Sequence, residues 1–251
     1  MNKTRIDWTD LSWNVVTGCS KGCPWCYARR ISKRFGRPFV PTFHEDRLAE
    51  PLKRRQPSKI FACSMGDLFD PAITYDQVDR VLAVMSITPH HVYQVLTKRP
   101  ERMADYFRSR GPHGDKHTIG AEVYRLRPEA FGGGDSMEIV WPLPKLWLGT
   151  SITNQADADE RIPYLLRVPA AVRWLSIEPL LGPVDLTLVP YIYTAPLHWV
   201  VIGAQTGPKA VAPQWEWIAS LIEQCDAAGV PCWIKDNVGW PDTVRGLPSG
   251  D

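Results

Sequence analysis

Seven short apolar runs punctuate the chain, at 13–17, 59–63, 92–97, 146–152, 172–177, 199–203 and 231–235. Each is rich in β-branched and aromatic residues and has the length of a buried strand. Between most of them lie segments with helical spacing, at 26–35, 74–87, 100–109, 157–167 and 213–228. Tyr75, Val78, Val81, Leu82 and Met85 recur every three or four positions, as do Trp217, Ile218, Leu221, Ile222 and Cys225. Thr74 and Asp76 can cap the first of these helices, and Gly229 can stop the second. Strand and helix in alternation imply a parallel sheet with right-handed crossovers. Six or seven such units predict an α/β fold, a partial or complete parallel (β/α) barrel.

One segment breaks the rhythm. Residues 110–145 carry GPHGD, FGGGDS and WPLP, and read as an inserted loop or subdomain between the third and fourth units, a candidate lid. Residues from about 240 read as a loose tail of the single domain. At 251 residues the chain is long enough to bury a sizeable core. Its formal charge of +2 gives no whole-protein electrostatic case for nucleic-acid binding. No apolar run reaches the ~18 residues of a membrane span, and the N-terminus lacks the apolar stretch of a secretory signal. A cytoplasmic, reducing compartment is the expectation, and with it reduced thiols. Eleven tryptophans and 23 prolines suggest many sharply bounded elements with aromatic packing between them.

The candidate chemistry sits just after the first apolar run. Cys19, Cys23 and Cys26 form C-x3-C-x2-C in the stretch TGCSKGCPWCYARR. Thiolates are soft ligands for zinc and for iron–sulfur clusters. Gly18 and Gly22 let the backbone fold close to the sulfurs, and Pro24 stiffens the return. Three thiolates on one loop can hold three corners of a [4Fe–4S] cubane and leave one iron open, whereas the usual cluster takes four cysteines. A zinc site needs a fourth ligand, for which His44 and Cys63 are the candidates. Disulfides leave an odd cysteine, and buried core thiols leave the spacing unexplained. The spacing and the glycines favour a cluster over zinc, and zinc over core thiols.

A C-x3-C-x2-C motif after the first strand of a β/α barrel resembles the radical S-adenosylmethionine superfamily, and Trp25 stands where that superfamily places an aromatic. More closely, the chain resembles a phage-associated group of three-cysteine-motif proteins of unknown function. The matching stretches are WNVVTGCSKGCPWCYA, FHEDRLAEPL, IFACSMGDLFD, VLTKRPERM, PLPKLWLGTSI, WLSIEPLLGPV, WVVIGAQTGP and GVPCWIKD. The resemblance implies a [4Fe–4S] cluster on Cys19, Cys23 and Cys26, with S-adenosylmethionine bound at the open iron. Reductive cleavage then gives a 5′-deoxyadenosyl radical, which abstracts hydrogen from a substrate. It also implies an electron donor such as flavodoxin or ferredoxin, and a nucleic-acid or nucleotide substrate, a modified base in phage DNA being the concrete case. Zinc-stabilised nucleic-acid binding without catalysis is the alternative. The radical step needs no acid or base from the protein, so no catalytic residue is named.

What the protein must do is position the cofactor and shield the radical. The ends of the strands are where a barrel does this. Gly66 and Asp67 partly match the motif that faces the methionine amine in the superfamily, with Asp for the usual Glu; a turn role for Asp67 is the rival. Thr150 and Ser151 end the fourth run and could bond the ribose or carboxylate. Glu178 ends the fifth, a carboxylate that could face the cofactor or substrate, with a salt-bridged structural role as the rival; Gly203 ends the sixth, where backbone could approach adenine. The related group carries Gly-Glu-Ser after that glycine; this chain has Ala204, Gln205 and Thr206. Lys98 and Arg99 end the third run as candidates for a substrate phosphate or carboxylate, and Lys235 ends the last. Arg29, Arg30, Lys33, Arg34 and Arg37 form a basic stretch beside the cysteine loop, either a backbone track for nucleic acid or a solvated helix face. Cys225 and Cys232 read as core, and His90 and His91 lack a metal spacing.

Overall fold

In the computed structural model the apolar runs become neighbours in one sheet. The structure describes residues 1–111, 115–128, 140–188 and 197–248. In chain order the elements are β1 (Asn2–Lys3), β2 (Leu11–Trp13), β3 (Val16–Thr17), α1 (Tyr27–Arg34), β4 (Thr42–Phe43), β5 (Lys59–Ala62), α2 (Tyr75–Ser86), β6 (Val92–Thr97), α3 (Pro100–Arg110), α4 (Lys116–Leu126), β7 (Leu146–Ile152), α5 (Gln155–Leu165), β8 (Val172–Ile177), β9 (Trp199–Ile202), α6 (Trp215–Ala228) and β10 (Cys232–Ile234). Eight strands pair in the order β1-β2-β5-β6-β7-β8-β9-β10, all parallel except the β1–β2 edge. This is the partial β/α barrel that the alternation predicts.

Two local expectations change. The run at 13–17 is not one strand. β2 ends at Trp13, the chain turns at Asn14, and β3 pairs instead with β4 in a separate two-stranded ribbon. The turn is held by the Asn14 side chain, whose Oδ1 accepts hydrogen bonds from the Met65 amide (2.9 Å) and the Ser64 hydroxyl (3.1 Å). Nor is the tail wholly loose: Arg245 bridges to Trp233, and the Gly246 carbonyl accepts the indole N–H of Trp199 at 2.8 Å. The 244–246 backbone thus covers the open edge of β10, which otherwise presents unpaired groups. Within the 110–145 segment the structure describes α4, which packs on α2 with Ile119 and Val123 buried, and residues 140–145, which lead into β7. The FGGGDS stretch lies outside the described residues.

Side-chain alternation along the strands makes two cores. Outward-facing Ile60, Val95, Leu148, Leu175, Ile177 and Ile202 pack under the helices. The helices form as their caps dictate: Thr74 and Gln77 make a capping box on α2, and Gly229, at φ +65°, ends α6. The inner face is aromatic: Trp8, Phe61, Trp147, Trp174, Trp199 and Trp233 form a plug. Trp8 meets Phe61, Trp174 and Trp199 edge-on, with centroids 5.0, 5.3 and 5.6 Å apart. The plug needs Gly149 on β7, because a Cβ there would lie 2.6 Å from the Trp174 ring. Large rings at one end leave the other end, at the C-terminal tips of the strands, open.

The cysteine loop is seated on that open end by backbone contacts. Gly18 and Gly66 form a parallel bridge, and the Gly18 amide donates to the Met65 carbonyl at 2.9 Å. A Cβ on Gly18 would stand 2.1 Å from the Val40 carbonyl oxygen, and one on Gly66 2.8 Å from that of Val16. Buried Asp70 fixes the loop from below: its Oδ2 accepts both the amide and the hydroxyl of Ser20 at 2.8 Å. Burial pushes the Asp70 carboxyl up, but the hydrogen bonds from Ser20 and Ala72 and the charge of Arg99 outweigh it and hold it below its usual 3.8.

Two outcomes follow. Gly149→Ala lowers stability in urea by about 1–3 kcal/mol; combined with Trp174→Leu, the double variant loses less than the two single losses together, because the clash needs both partners. Full additivity contradicts the close approach. For Asp70 the folded pKa is depressed, so its contribution is complete above the ordinary carboxylate value and fades as pH falls through the folded one. The stability gap between wild type and Asp70→Asn narrows from about pH 6 to about pH 3; a gap independent of pH contradicts it.

Candidate functional site

A cavity of about 970 Å3, solvent at its mouth included, opens at the C-terminal tips of the parallel strands. Phe61 and Leu96 floor it, above the tryptophan plug. One wall is the cysteine loop, with Cys19, Gly22, Cys23, Trp25 and Cys26. Lys98, Ser151, Ser176, Glu178 and the chain from Ala204 to Thr206 line the cavity as well. The three cysteines, which are half-buried and reduced, therefore share one cavity with the residues that end β6, β7 and β8.

The loop is built to present sulfur. Cys26 is the N-cap of α1, and its Sγ accepts the Arg29 amide at 3.4 Å. The Lys21 amide donates to Cys19 Sγ at 3.4 Å. Burial, opposed by that amide and reinforced by Asp67 and Asp70, pushes the Cys19 thiol up to about 11; a bound cation lowers it again. Among the described residues no three His, Cys, Asp or Glu side chains gather at the spacing of one ion's ligands. His44 hydrogen-bonds Thr17, and Cys63 lies buried in the cavity wall. Three thiols on one loop are a soft donor set, and such a set suits three corners of a cubane with the fourth left open.

In the same cavity, Lys98 Nζ donates to Ser151 Oγ at 2.6 Å. Burial holds the lysine below its usual pKa, against the pull of nearby Cys23 and Glu178. Glu178 Oε1 accepts from Lys235 Nζ at 2.7 Å, so Lys235 serves the carboxylate and is not itself part of the cavity lining. Gly203 lies behind that pair: a Cβ there would fall 2.8 Å from the Glu178 carboxyl carbon. The close approach that Gly203 permits is thus to a side chain of this protein, in place of the expected adenine.

Other expected residues sit in different roles. Asp67 lines the cavity, but its carboxylate accepts three hydrogen bonds, from Thr97 Oγ1 (2.7 Å), the Phe69 amide (3.0 Å) and the Lys98 amide (3.1 Å). Burial pushes its pKa up, against those bonds. This is the turn-forming role, tying the β5 loop to the end of β6. Thr150 faces outward with Leu148 and Ile152 and donates to the Thr97 carbonyl at 2.9 Å, so it does not reach the cavity. Arg99 donates to Ser20 Oγ at 2.8 Å and lies 3.9 Å from Asp70, steadying the cysteine loop instead of meeting a substrate. Gln205, at the position where the related group has Glu, lines the wall as a neutral amide.

The sequence reading did not single out Asn14, Ser20, Asp70, Tyr27 or Phe39. Tyr27 donates to the Ser64 carbonyl across the mouth. Asp67 and Asp70 are three apart in one short motif, and only the folded chain decides which carboxylate meets the loop.

No curated protein matches the chain. Among solved structures, a spore photoproduct lyase complexed with dinucleoside spore photoproduct superposes with a TM-score of 0.50 at 13% identity, over 77% of this chain and 55% of that one. At that identity the likeness shows a shared fold, and this chain spans little more than half of the neighbour's length. A family profile described as a protein of unknown function, DUF5131, matches residues 3–245. The chain therefore belongs to the DUF5131 family.

Proposed function

We propose that the protein is a radical S-adenosylmethionine enzyme acting on a nucleobase in DNA. One observation carries the reading: three thiols on one loop line the same cavity as the hydrogen-bonded pair Lys98 and Ser151 and the carboxylate of Glu178. The fold neighbour, a lyase complexed with a dinucleoside, supports the substrate class. Cys19, Cys23 and Cys26 hold the [4Fe–4S] cluster. When bound, cluster and S-adenosylmethionine together supply one-electron reductive cleavage to a 5′-deoxyadenosyl radical.

The chain's own residues then bind, orient and shield. Lys98 Nζ and Ser151 Oγ offer adjacent donors to the cofactor carboxylate, and the low polarity around Lys98 strengthens that contact. Glu178, anchored by Lys235, accepts from the ribose hydroxyls or the amine. Gly66 lets the β5 tip pack against the backbone of the cysteine loop, where a Cβ would stand 2.8 Å from the Val16 carbonyl oxygen, and so holds the loop at the cavity wall. Trp25 covers the sulfurs from one side, and Phe61 and Leu96 exclude water below.

The test is anaerobic reconstitution with iron and sulfide, then a chemical reductant and S-adenosylmethionine. The expected products are 5′-deoxyadenosine and methionine, with about four iron and four sulfide per chain. Replacing Cys19, Cys23 and Cys26 together by Ala removes both the cluster and the products; products that persist sink the assignment, and stoichiometric zinc without sulfide favours the non-catalytic alternative. In Lys98→Met/Ser151→Ala the iron content stays while the Kd for S-adenosylmethionine rises roughly tenfold or more, the weight of a charged hydrogen bond. An unchanged Kd removes these two residues from the binding site.

A further inference from the structure

Residues 11–44 contain no Asp or Glu and six cations, Lys21, Arg29, Arg30, Lys33, Arg34 and Arg37. The chain's net +2 is thus +6 from this segment and −4 from everything else. Among the described residues none of the six pairs with a carboxylate. Arg30 is engaged by Thr206 on the cavity rim. Lys33, Arg34 and Arg37 are exposed.

Aromatic rings are interleaved with these cations. Tyr27, Ile31 and Phe35 recur every fourth residue of α1 and its C-cap, and are 42%, 42% and 63% exposed. The Arg34 and Arg37 guanidinium carbons lie 5.9 and 5.7 Å from the Phe35 ring centre. Arg29 lies 5.5 Å from the Phe39 ring, and both residues line the cavity mouth. A helix-dipole role explains Lys33 and Arg34 in the last turn. It does not explain Arg37 beyond the helix, the lack of any acid, or a phenylalanine left open to water beside two guanidiniums.

We propose that α1 and residues 35–40 form a track for single-stranded nucleic acid, with phosphates on Lys33, Arg34 and Arg37 and bases stacked on Phe35 and Phe39 as the strand enters the cavity. Unpaired cations alternating with exposed rings are the chemistry of such tracks. An acidic protein would use the cations and leave the rings idle. The proposal rests on the nucleobase reading only for what happens at the inner end of the strand; binding along the track needs neither cluster nor cofactor.

The experiment is fluorescence anisotropy of a labelled mixed-sequence single-stranded DNA, about 20 nucleotides long, on the full chain at several salt concentrations. Three phosphate contacts give a log–log salt slope of about −2. Lys33→Gln/Arg34→Gln/Arg37→Gln brings the slope close to zero and weakens binding at least tenfold at about 100 mM salt. Arg34→Lys/Arg37→Lys, which keeps the charge, retains the slope. Phe35→Ala weakens binding about fivefold or more with the slope unchanged. All four positions are exposed, and an unshifted thermal transition shows that the variants fold. The Cys19→Ala/Cys23→Ala/Cys26→Ala variant still binds, so a failure of cofactor cleavage and a failure of the track are separate results. No binding by wild type at about 50 mM salt, or an unchanged slope in the triple Gln variant, overturns the proposal. So does competition by poly-glutamate at equal affinity with no loss in Phe35→Ala, which assigns the surface to an acidic protein.

Discussion

Two backbones run side by side at Gly18 and Gly66 with no room for a side chain on either. Everything at the mouth of the sheet depends on that contact. It lowers the cysteine loop onto the tips of β2 and β5, and Val40 closes over Gly18 from the other side. Asp70, Ser20 and Arg99 then lock the loop against the end of β6. Were the loop even one side chain farther out, the sulfurs would leave the cavity that they share with Lys98 and Glu178. Positioning of this kind is the main service a protein gives to a cofactor that carries its own chemistry.

The tryptophan plug sets the depth of the site. Burying six large rings at one end of the sheet fills the interior that a small barrel otherwise packs in layers of branched side chains. The remaining inner positions toward the tips carry smaller or polar side chains, Ser151, Ser176 and Glu178 among them, so a cavity forms there and not elsewhere. Fold stability and site volume are therefore two results of one pattern of side-chain sizes along the strands.

The strands and helices were legible because their periods are strong. Every predicted run from 59 onward coincides with a strand, and each predicted helix with a helix to within about two residues. The three cysteines were legible as a group because their spacing is local. What the sequence hid is decided by partners far away along the chain. Arg99 and Lys235 look free as residues, yet one steadies Ser20 and the other holds Glu178. Thr150 and Ser151 are adjacent, and strand parity alone sends the first to the helices and the second to the cavity. The split at Asn14 escaped notice because Trp13, Val15 and Val16 are apolar on either side of it, and the polar residue reads as an interruption too short to matter.

Electron paramagnetic resonance of the reduced, reconstituted protein, recorded with and without S-adenosylmethionine, addresses the proposed open coordination position. The account predicts the signal of a reduced [4Fe–4S] cluster whose g-values shift when the cofactor is added and whose shift is lost in Lys98→Met/Ser151→Ala. A cluster signal indifferent to S-adenosylmethionine at any concentration, or no cluster signal at all, contradicts it.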